Sequence, residues 1–492
     1  MSHYYTATDH FVLVPAIMLA LFGCAILLFD FLVFPDPRQR KYLLFFLILG
    51  EGFAGYGLWS QHAHLVADGM NAYVAFNGSL TADGFSIFFN WIFLVATVIV
   101  AMVSYKYLEI EGEHHGEYYS LLMFAQCGMF FLSAGTDLIT LFIGLELMAL
   151  CFYVMVGFLR TEKRSNEAAM KYLLLGAFSS GFLVYGFSIM YGISGSTKLD
   201  LIAASIAVRS PFDPLVLLAL ATTSVGLLFK ISAVPFHMWA PDAYEGAPTT
   251  VTAYLSVASK AASIAFLLRM FYGDLAPLAS ARPVWEPILS FVAVATMTVG
   301  NLAAINQSNI KRLLAYSSIS HAGYMMLGLI AGNATGIKGI AVYIMVYTFM
   351  NLGAFMVLVA LRRKGIIGED LDDIAGLMQK SPGYALLMLI FLLSLAGIPP
   401  TAGFLGKYYI FLSLIETHHY TLAVIATLYV AVAIYYYFRI VRSMFVRDLT
   451  EKAPLSTSFG LRVALGVSGI LTLAIGIYPE PFLKLAGTSL LH

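Results

Sequence analysis

The sequence predicts an all-α polytopic membrane protein of about 14 transmembrane helices, with two inverted five-helix repeats and broken helices at positions seven and twelve. Three observations carry this expectation. Apolar windows of about 20 residues, the length that crosses a ~30 Å hydrocarbon core, recur from end to end. Hydrophobic residues make up 60% of the chain and charged residues 11%, against about 45–50% and about 25% in soluble domains. Two of the windows are interrupted by proline, at Pro235 and at Pro399-Pro400, and these breaks lie five windows apart. A repeat with an odd number of helices must be inverted relative to its copy, the plan common in transporters.

Taken in order, the first three windows run from Phe11 to Val33, from Lys41 to Ser60 and from Gly84 to Leu108. The fourth (Tyr119 to Gly135) and fifth (Leu138 to Phe158) are joined by a short turn at Thr136-Asp137. The sixth, seventh and eighth extend from Glu167 to Gly192, Pro214 to Trp239 and Thr249 to Tyr272. The ninth to eleventh run from Trp285 to Asn306, Ile310 to Ala331 and Ile337 to Leu361. The twelfth, Tyr384 to Leu414, is broken at Gly397-Ile398-Pro399-Pro400, and Thr421 to Phe445 and Leu461 to Tyr478 complete the series. The units implied are 1–118 (three N-terminal helices), 119–272 and 273–447 (the two repeats) and 448–492 (the last helix). Self-similarity between the halves is faint, SAVPFH against LAGIPP, so the repeat rests on spacing and break position.

Loop charge sets the expected orientation, because cytoplasmic loops carry excess Lys and Arg. Starting outside, the inward loops hold Arg38, Arg40, Lys41, Lys106, Arg160, Lys163, Arg164, Lys311, Arg312, Arg362, Arg363, Lys364, Lys380, Arg442, Arg447, Lys452 and Arg462. The outward loops hold only Lys198, Arg209, Arg269, Arg282, Lys338 and Lys484, about 17 against about 6. Both termini are therefore expected on the periplasmic side. The first window lacks a basic n-region and a small-residue cleavage site, so it reads as a retained span rather than a signal peptide.

Composition excludes several chemistries. The formal net charge of zero gives no polyanion partner, so no nucleic acid is expected. Cys24, Cys127 and Cys151 have neither CxxC nor Cys/His spacing, and no GxGxxG follows a strand. No metal, redox centre or cofactor is indicated in this chain, and any electron chemistry belongs to other subunits.

The polar residues inside the windows carry the function. The stretch from Phe229 to Lys260 places Lys230, His237 and Lys260 at lipid depth. A lysine there costs about 3 kcal/mol on insertion scales, so it marks a polar interior. Pro235 frees backbone groups that must find partners in protein or in a water-lined cavity. Charge together with a helix break is the signature of an ion path.

Glu146 sits at the centre of the fifth span, and the bland reading is a neutral carboxyl bonded to a neighbouring helix. With Lys230 at similar depth it reads instead as a functional ion pair. Burial disfavours the charged form of each partner and proximity favours it, so a shift of a few ångström would switch Lys230 between holding and releasing a proton. Lys260 has apolar residues for more than two turns on either side, too many for snorkelling, whereas Lys407, just past the second break, could snorkel to one face. His321 holds the place in the second repeat that Glu146 holds in the first, as proton carrier or packing residue. His237 follows the break and could instead donate to freed carbonyls. Lys171 reads as a loop charge or as a neighbour of Glu146. Glu51, among Gly50, Gly52 and Gly55, fits a structural hydrogen bond as well as transport. Tyr435, Tyr436, Tyr437 and Arg439 read as interface and packing residues, and Asp242, Tyr244 and Glu245 as mouth or subunit contacts.

Three runs, VPFHMWAPDAYEGAPTTVTAYLSVASK, NQSNIKRLLAYSSISHAGY and SLAGIPPTAGFLGKYY, resemble the subunit N family of the proton-pumping NADH:quinone oxidoreductase, respiratory complex I. The similarity covers nearly the whole chain. It implies an antiporter-like, fourteen-helix subunit of the membrane arm in a bacterial inner membrane. The subunit would itself lack cofactors, and flavin, iron–sulfur clusters and quinone would lie in partner subunits. Its partners would be the other membrane-arm subunits, antiporter-like sisters included, and the bilayer. The family's proton-path residues match Glu146, Lys230, Lys260 and Lys407, and Lys171 matches the lysine of its sixth helix. Sister subunit M has a glutamate where this chain has Lys407, and subunit L carries a long C-terminal lateral helix, whereas this chain stops at His492. The alternative is a subunit of a multicomponent sodium/proton antiporter, also similar. A passive scaffold fits poorly with mid-membrane lysines in broken helices.

Overall fold

The computed structural model describes residues 5–34, 39–362, 368–449, 455 and 457–488. Of the loop cations named above, Arg38, Arg363, Lys364 and Lys452 lie outside the described residues. The N-terminal unit is α1 (Ala7–Leu32), α2 (Lys41–Asp68), a hairpin of β1 (Ala72–Ala75) and β2 (Leu80–Asp83), and α3 (Gly84–Glu111). Thr6 and Asp9 form a reciprocal capping box that starts α1, and Asp83 caps α3 through Ser86 N at 2.7 Å. The hairpin is antiparallel, with Ala75 opposite Leu80. It was not foreseen, although its Asn77-Gly78 turn, both at positive φ, is a hairpin signal.

Then follow α4 (Gly116–Ala134), α5 (Leu138–Val156), α6 (Lys163–Ser194) and the short α7 (Leu199–Ala207). Next come α8 (Pro214–Lys230), α9 (Trp239–Gly246) and α10 (Thr249–Tyr254), which runs through a π-helical turn, Leu255–Ser259, into α11 (Lys260–Phe271). The second half is α12 (Arg282–Ile305), α13 (Ile310–Ala331), α14 (Ala334–Leu361) and the turn-length α15 (Leu377–Lys380). It continues with α16 (Pro382–Ala396), α17 (Ala402–Glu416), α18 (Tyr420–Val446), α19 (Phe459–Ile477) and α20 (Glu480–Gly487). Helix therefore falls in every predicted window, and 11 helices among the described residues are long and apolar enough to cross a membrane. The seventh window is interrupted after Lys230 and the twelfth after Ala396, so α8 and α16 are shorter apolar segments.

Burial sorts the helices by composition. The apolar windows of α10–α11 and α14 are 100% buried, whereas that of α18 is 22% buried. The helix from Thr249 to Phe271 carries Ser256, Ser259, Lys260 and Ser263, groups that lipid cannot satisfy, so it lies in the protein interior. Glycines permit the closest crossings. A Cβ on Gly128 of α4 would lie 2.5 Å from Met148 N of α5, and one on Gly300 of α12 would lie 2.7 Å from Ser320 N of α13.

Two charges assigned to loops from the sequence are instead buried. Lys311, 1% exposed, pairs with Glu369 at 3.0 Å and donates to Ala247 O at 2.6 Å. Arg269, 4% exposed, pairs with Asp83 at 2.8 Å and donates to Ser133 O, locking α11 to the starts and ends of α3 and α4. Each is tolerated because its partner is also sequestered and hydrogen-bonded.

Candidate functional site

Besides Lys311, which is paired with Glu369, three lysines from three different helices are buried among the described residues. Lys230 is the last residue of α8, Lys260 opens α11, and Lys407 lies in the second turn of α17. Their residue exposures are 4%, 3% and 4%. Lys407 does not snorkel, which corrects that alternative. Its ammonium donates to Leu395 O at 3.0 Å and Ala396 O at 2.8 Å, the last carbonyls of α16. A helix C-terminus presents free carbonyls and the negative end of the helix dipole, so the break builds the lysine's site. Gly397 turns the chain there at φ +83, and a Cβ on it would lie 2.8 Å from Lys407 Cδ.

Lys260 donates to Ser318 O and to Ser318 Oγ, both at 2.5 Å. One turn along α13, His321 Nδ1 meets Tyr343 OH at 2.5 Å and its Nε2 meets Tyr437 OH at 3.1 Å. One turn further, the Tyr324 ring lies under Lys407 Nζ at 5.2 Å. Ser318, His321 and Tyr324 thus form a stripe at i, i+3 and i+6 on a single face of α13, a rise of about 9 Å, with Lys260 at one end and Lys407 at the other. His321 is 2% exposed and touches hydroxyls at both ring nitrogens, as a group that passes a proton requires. Of the tyrosines read as interface and packing residues, Tyr435 is exposed, whereas Tyr436 and Tyr437 are buried packing residues, and Tyr437 joins the His321 cluster.

The Glu146–Lys230 pair differs from expectation. No ion pair joins them: Glu146 is half-buried on α5 and accepts from Ser180 Oγ of α6 at 2.5 Å. Lys230 Nζ makes no hydrogen bond among the described residues. It sits 5.7 Å from the ring of Tyr153, two turns from Glu146 along α5. Glu146 remains within electrostatic range of Lys230, although neither a salt bridge nor a hydrogen bond joins the two.

Lys171 is likewise not beside Glu146. It is 45% exposed at the near end of α6 and pairs with Glu167 at 2.8 Å and Asp242 at 2.9 Å. His237 is half-buried beside the break, while Trp239 Nε1 takes the Phe229 carbonyl at 2.9 Å. Both breaks contain cis peptide bonds, Val234-Pro235 and Pro399-Pro400. Side-chain hydroxyls satisfy their backbone: Val234 N donates to Thr296 Oγ1 at 3.0 Å, and Gly403 N donates to Ser394 Oγ at 2.9 Å. Glu51 is 1% exposed and accepts from Gln126 Nε2 at 2.9 Å, a bond of the kind that one of its two sequence readings describes.

The site of Lys407 yields an expected result. Lys407→Glu would present an acceptor to two carbonyl oxygens, lose two charge-assisted bonds and oppose the dipole of α16, for a loss of about 2 kcal/mol or more. Thermal melting of the purified complex should fall, and proton uptake with it. Unchanged melting would mean that the α16 carbonyls do not hold the side chain.

A family model described as "NADH:quinone oxidoreductase/Mrp antiporter, TM" matches residues 135–433. The chain is 78% identical over 490 residues to NADH-quinone oxidoreductase subunit N 2 of Solibacter usitatus, covering 99% of each. It is 54% identical to NADH-quinone oxidoreductase subunit N 1 of Koribacter versatilis, covering 98% of this chain and 96% of that one. Among solved structures, a chain of respiratory complex I from Thermus thermophilus with bound aureothin matches with TM-score 0.79 at 33% identity, over 96% of this chain and 99% of that one. A chain of the Mrp complex from Dietzia sp. DQ12-45-1b matches with TM-score 0.81 at 20% identity, over 98% and 97%, a likeness of fold alone.

Proposed function

The chain belongs to the NADH-quinone oxidoreductase subunit N family, and from that premise we propose how it moves protons. It is an antiporter-like membrane subunit of that oxidoreductase, translocating protons while quinone is reduced in other subunits. The observation that carries the mechanism is the α13 stripe, which leads from the Lys260 acceptor Ser318 through His321 to Tyr324 beneath Lys407. A proton taken up near Glu146 passes to Lys230, then to Lys260, and along the stripe to Lys407, with His237 and Lys171 serving the inward approach. Each group in this series exchanges one proton with the next, and no bond other than N–H or O–H is made or broken. No redox site is assigned to this chain; flavin, iron–sulfur clusters and quinone belong to partner subunits of the complex.

Two further parts of the reading have support of their own. The glycine-mediated crossings of α4 with α5 and of α12 with α13 occupy corresponding places in the two halves, in favour of the inverted repeat over 119–272 and 273–447. The excess of Lys and Arg in alternate loops favours both termini on the periplasmic side of a bacterial inner membrane.

Donor-driven uptake in proteoliposomes tests the function. Proton uptake should be unchanged when sodium replaces potassium, and flavin and iron–sulfur proteins should co-purify after mild detergent extraction. Sodium-dependent uptake without those partners would favour the antiporter reading.

A further inference from the structure

Helix α9, directly after the first break, faces two ways. On its outer edge the Asp242 carboxylate accepts from Lys171 of α6 and from Arg312 of α13, each at 2.9 Å. Glu245, one turn on, accepts from Arg164 of α6 at 2.9 Å and from the same Arg312 at 2.8 Å. The inner edge carries Tyr244, 1% exposed, whose hydroxyl faces Ser318. Ser318 is the residue that holds Lys260. The Tyr244 carbonyl is in turn held by Thr252 Oγ1 at 2.9 Å.

Outside α9 lies a polar cleft of about 230 Å³ lined by Arg164, Glu167, Lys171, Asp242, Glu245 and Arg312. Partly exposed ion pairs are weak singly. Here one guanidinium spans two carboxylates on a single short helix, and that helix is also tied to α6, so the pairs act together. The chain between Lys230 and Trp239 is not helical, and α9 is therefore held by its side chains, the buried Trp239, Ala243 and Tyr244 on one edge and these ion pairs on the other, rather than by a continuous backbone rod.

We propose that Asp242, Glu245 and Arg312 are positioning residues for proton transfer: they clamp α9 over the inward approach, and through Tyr244 and Ser318 they set the place of Lys260. The proposal rests on the proton-transfer reading above and adds to it a shutter shared by the two halves of the chain. Breaking the clamp should open the cleft toward Ala247, which is 2% exposed at the end of α9.

The test uses the intact complex in inside-out vesicles, with Ala247→Cys as reporter and Cys24, Cys127 and Cys151 changed to serine. With the clamp intact, maleimide labelling should be slow. Arg312→Gln should speed it by about tenfold or more and lower protons moved per electron. Glu245→Gln, which leaves both Asp242 pairs, should do less of each, and Arg312→Lys should restore much of both. If Arg312→Gln does not assemble, Glu245→Gln carries the comparison. Unchanged labelling, or an opened cleft with full pumping, overturns the proposal. Labelling needs no pumping, so loss of the parent reading, seen as normal pumping in Lys260→Met, is distinguishable from loss of the clamp.

Discussion

Lys260→Met is expected to reduce donor-driven proton uptake by about tenfold or more while leaving the complex assembled. The lysine's two bonds to Ser318, at 2.5 Å each, are charge-assisted and contribute about 1.5–3 kcal/mol apiece. Against them stands the cost of holding an ammonium in the interior, roughly 3 kcal/mol on insertion scales. At the low end of that range the two terms offset, and at the high end the bonds exceed the cost by about 3 kcal/mol; Ser318 O keeps its helical bond in α13, so melting should fall by no more than that difference allows. Function has no such compensation, because methionine cannot carry a proton from the first half of the chain to the α13 stripe.

Lys260→Arg separates charge from titration. Arginine keeps a donor for Ser318 but does not release its proton near neutral pH. It should therefore assemble and still fail to pump. Proton uptake and NADH oxidation measured together in proteoliposomes check both variants. Uptake above about half of normal in either, with assembly intact, would take Lys260 out of the path.

The outline of this fold was legible because the bilayer imposes it: a window of fixed length must be apolar, and a proline within it must break the backbone. Lys230, Lys260 and Lys407 were legible for the same reason, since an interior cation has no innocent place in lipid. What joins them was not. Ser318, Tyr343 and Tyr437 are ordinary residues of apolar helices, and only packing brings their hydroxyls to Lys260 and His321. Lys311 and Arg269 misled because each stands near the end of a helix, where a charge usually meets water, yet Glu369 and Asp83 fold in to cover them. Lys171 fails in the opposite direction: its part of α6 extends past the buried core, so it belongs to the partly exposed ion network with Glu167 and Asp242 and not to Glu146. The hairpin escaped notice because its strands have only four residues each and the surrounding apolar windows dominate the pattern.

The second large effect concerns Glu146 and Lys230, which are separated here and should nonetheless behave as one unit during transport. In this conformation Glu146 is satisfied by Ser180, and Lys230 has no hydrogen-bond partner among the described residues. An interior ammonium without an acceptor is costly to keep, so Lys230→Met should leave melting unchanged or raise it. Proton uptake should nevertheless fall by about tenfold, because the end of α8 is where the break allows movement toward Glu146. Glu146→Gln removes the charge that draws Lys230 into its protonated form, and it should cost a similar factor. The double variant should then be scarcely worse than either single one, as for residues that act in a single step. The measurement is uptake per electron for the two singles and the double, with assembly checked in each. If the losses instead multiply, Glu146 and Lys230 are independent stations, and movement of α8 toward α5 has no part in the mechanism.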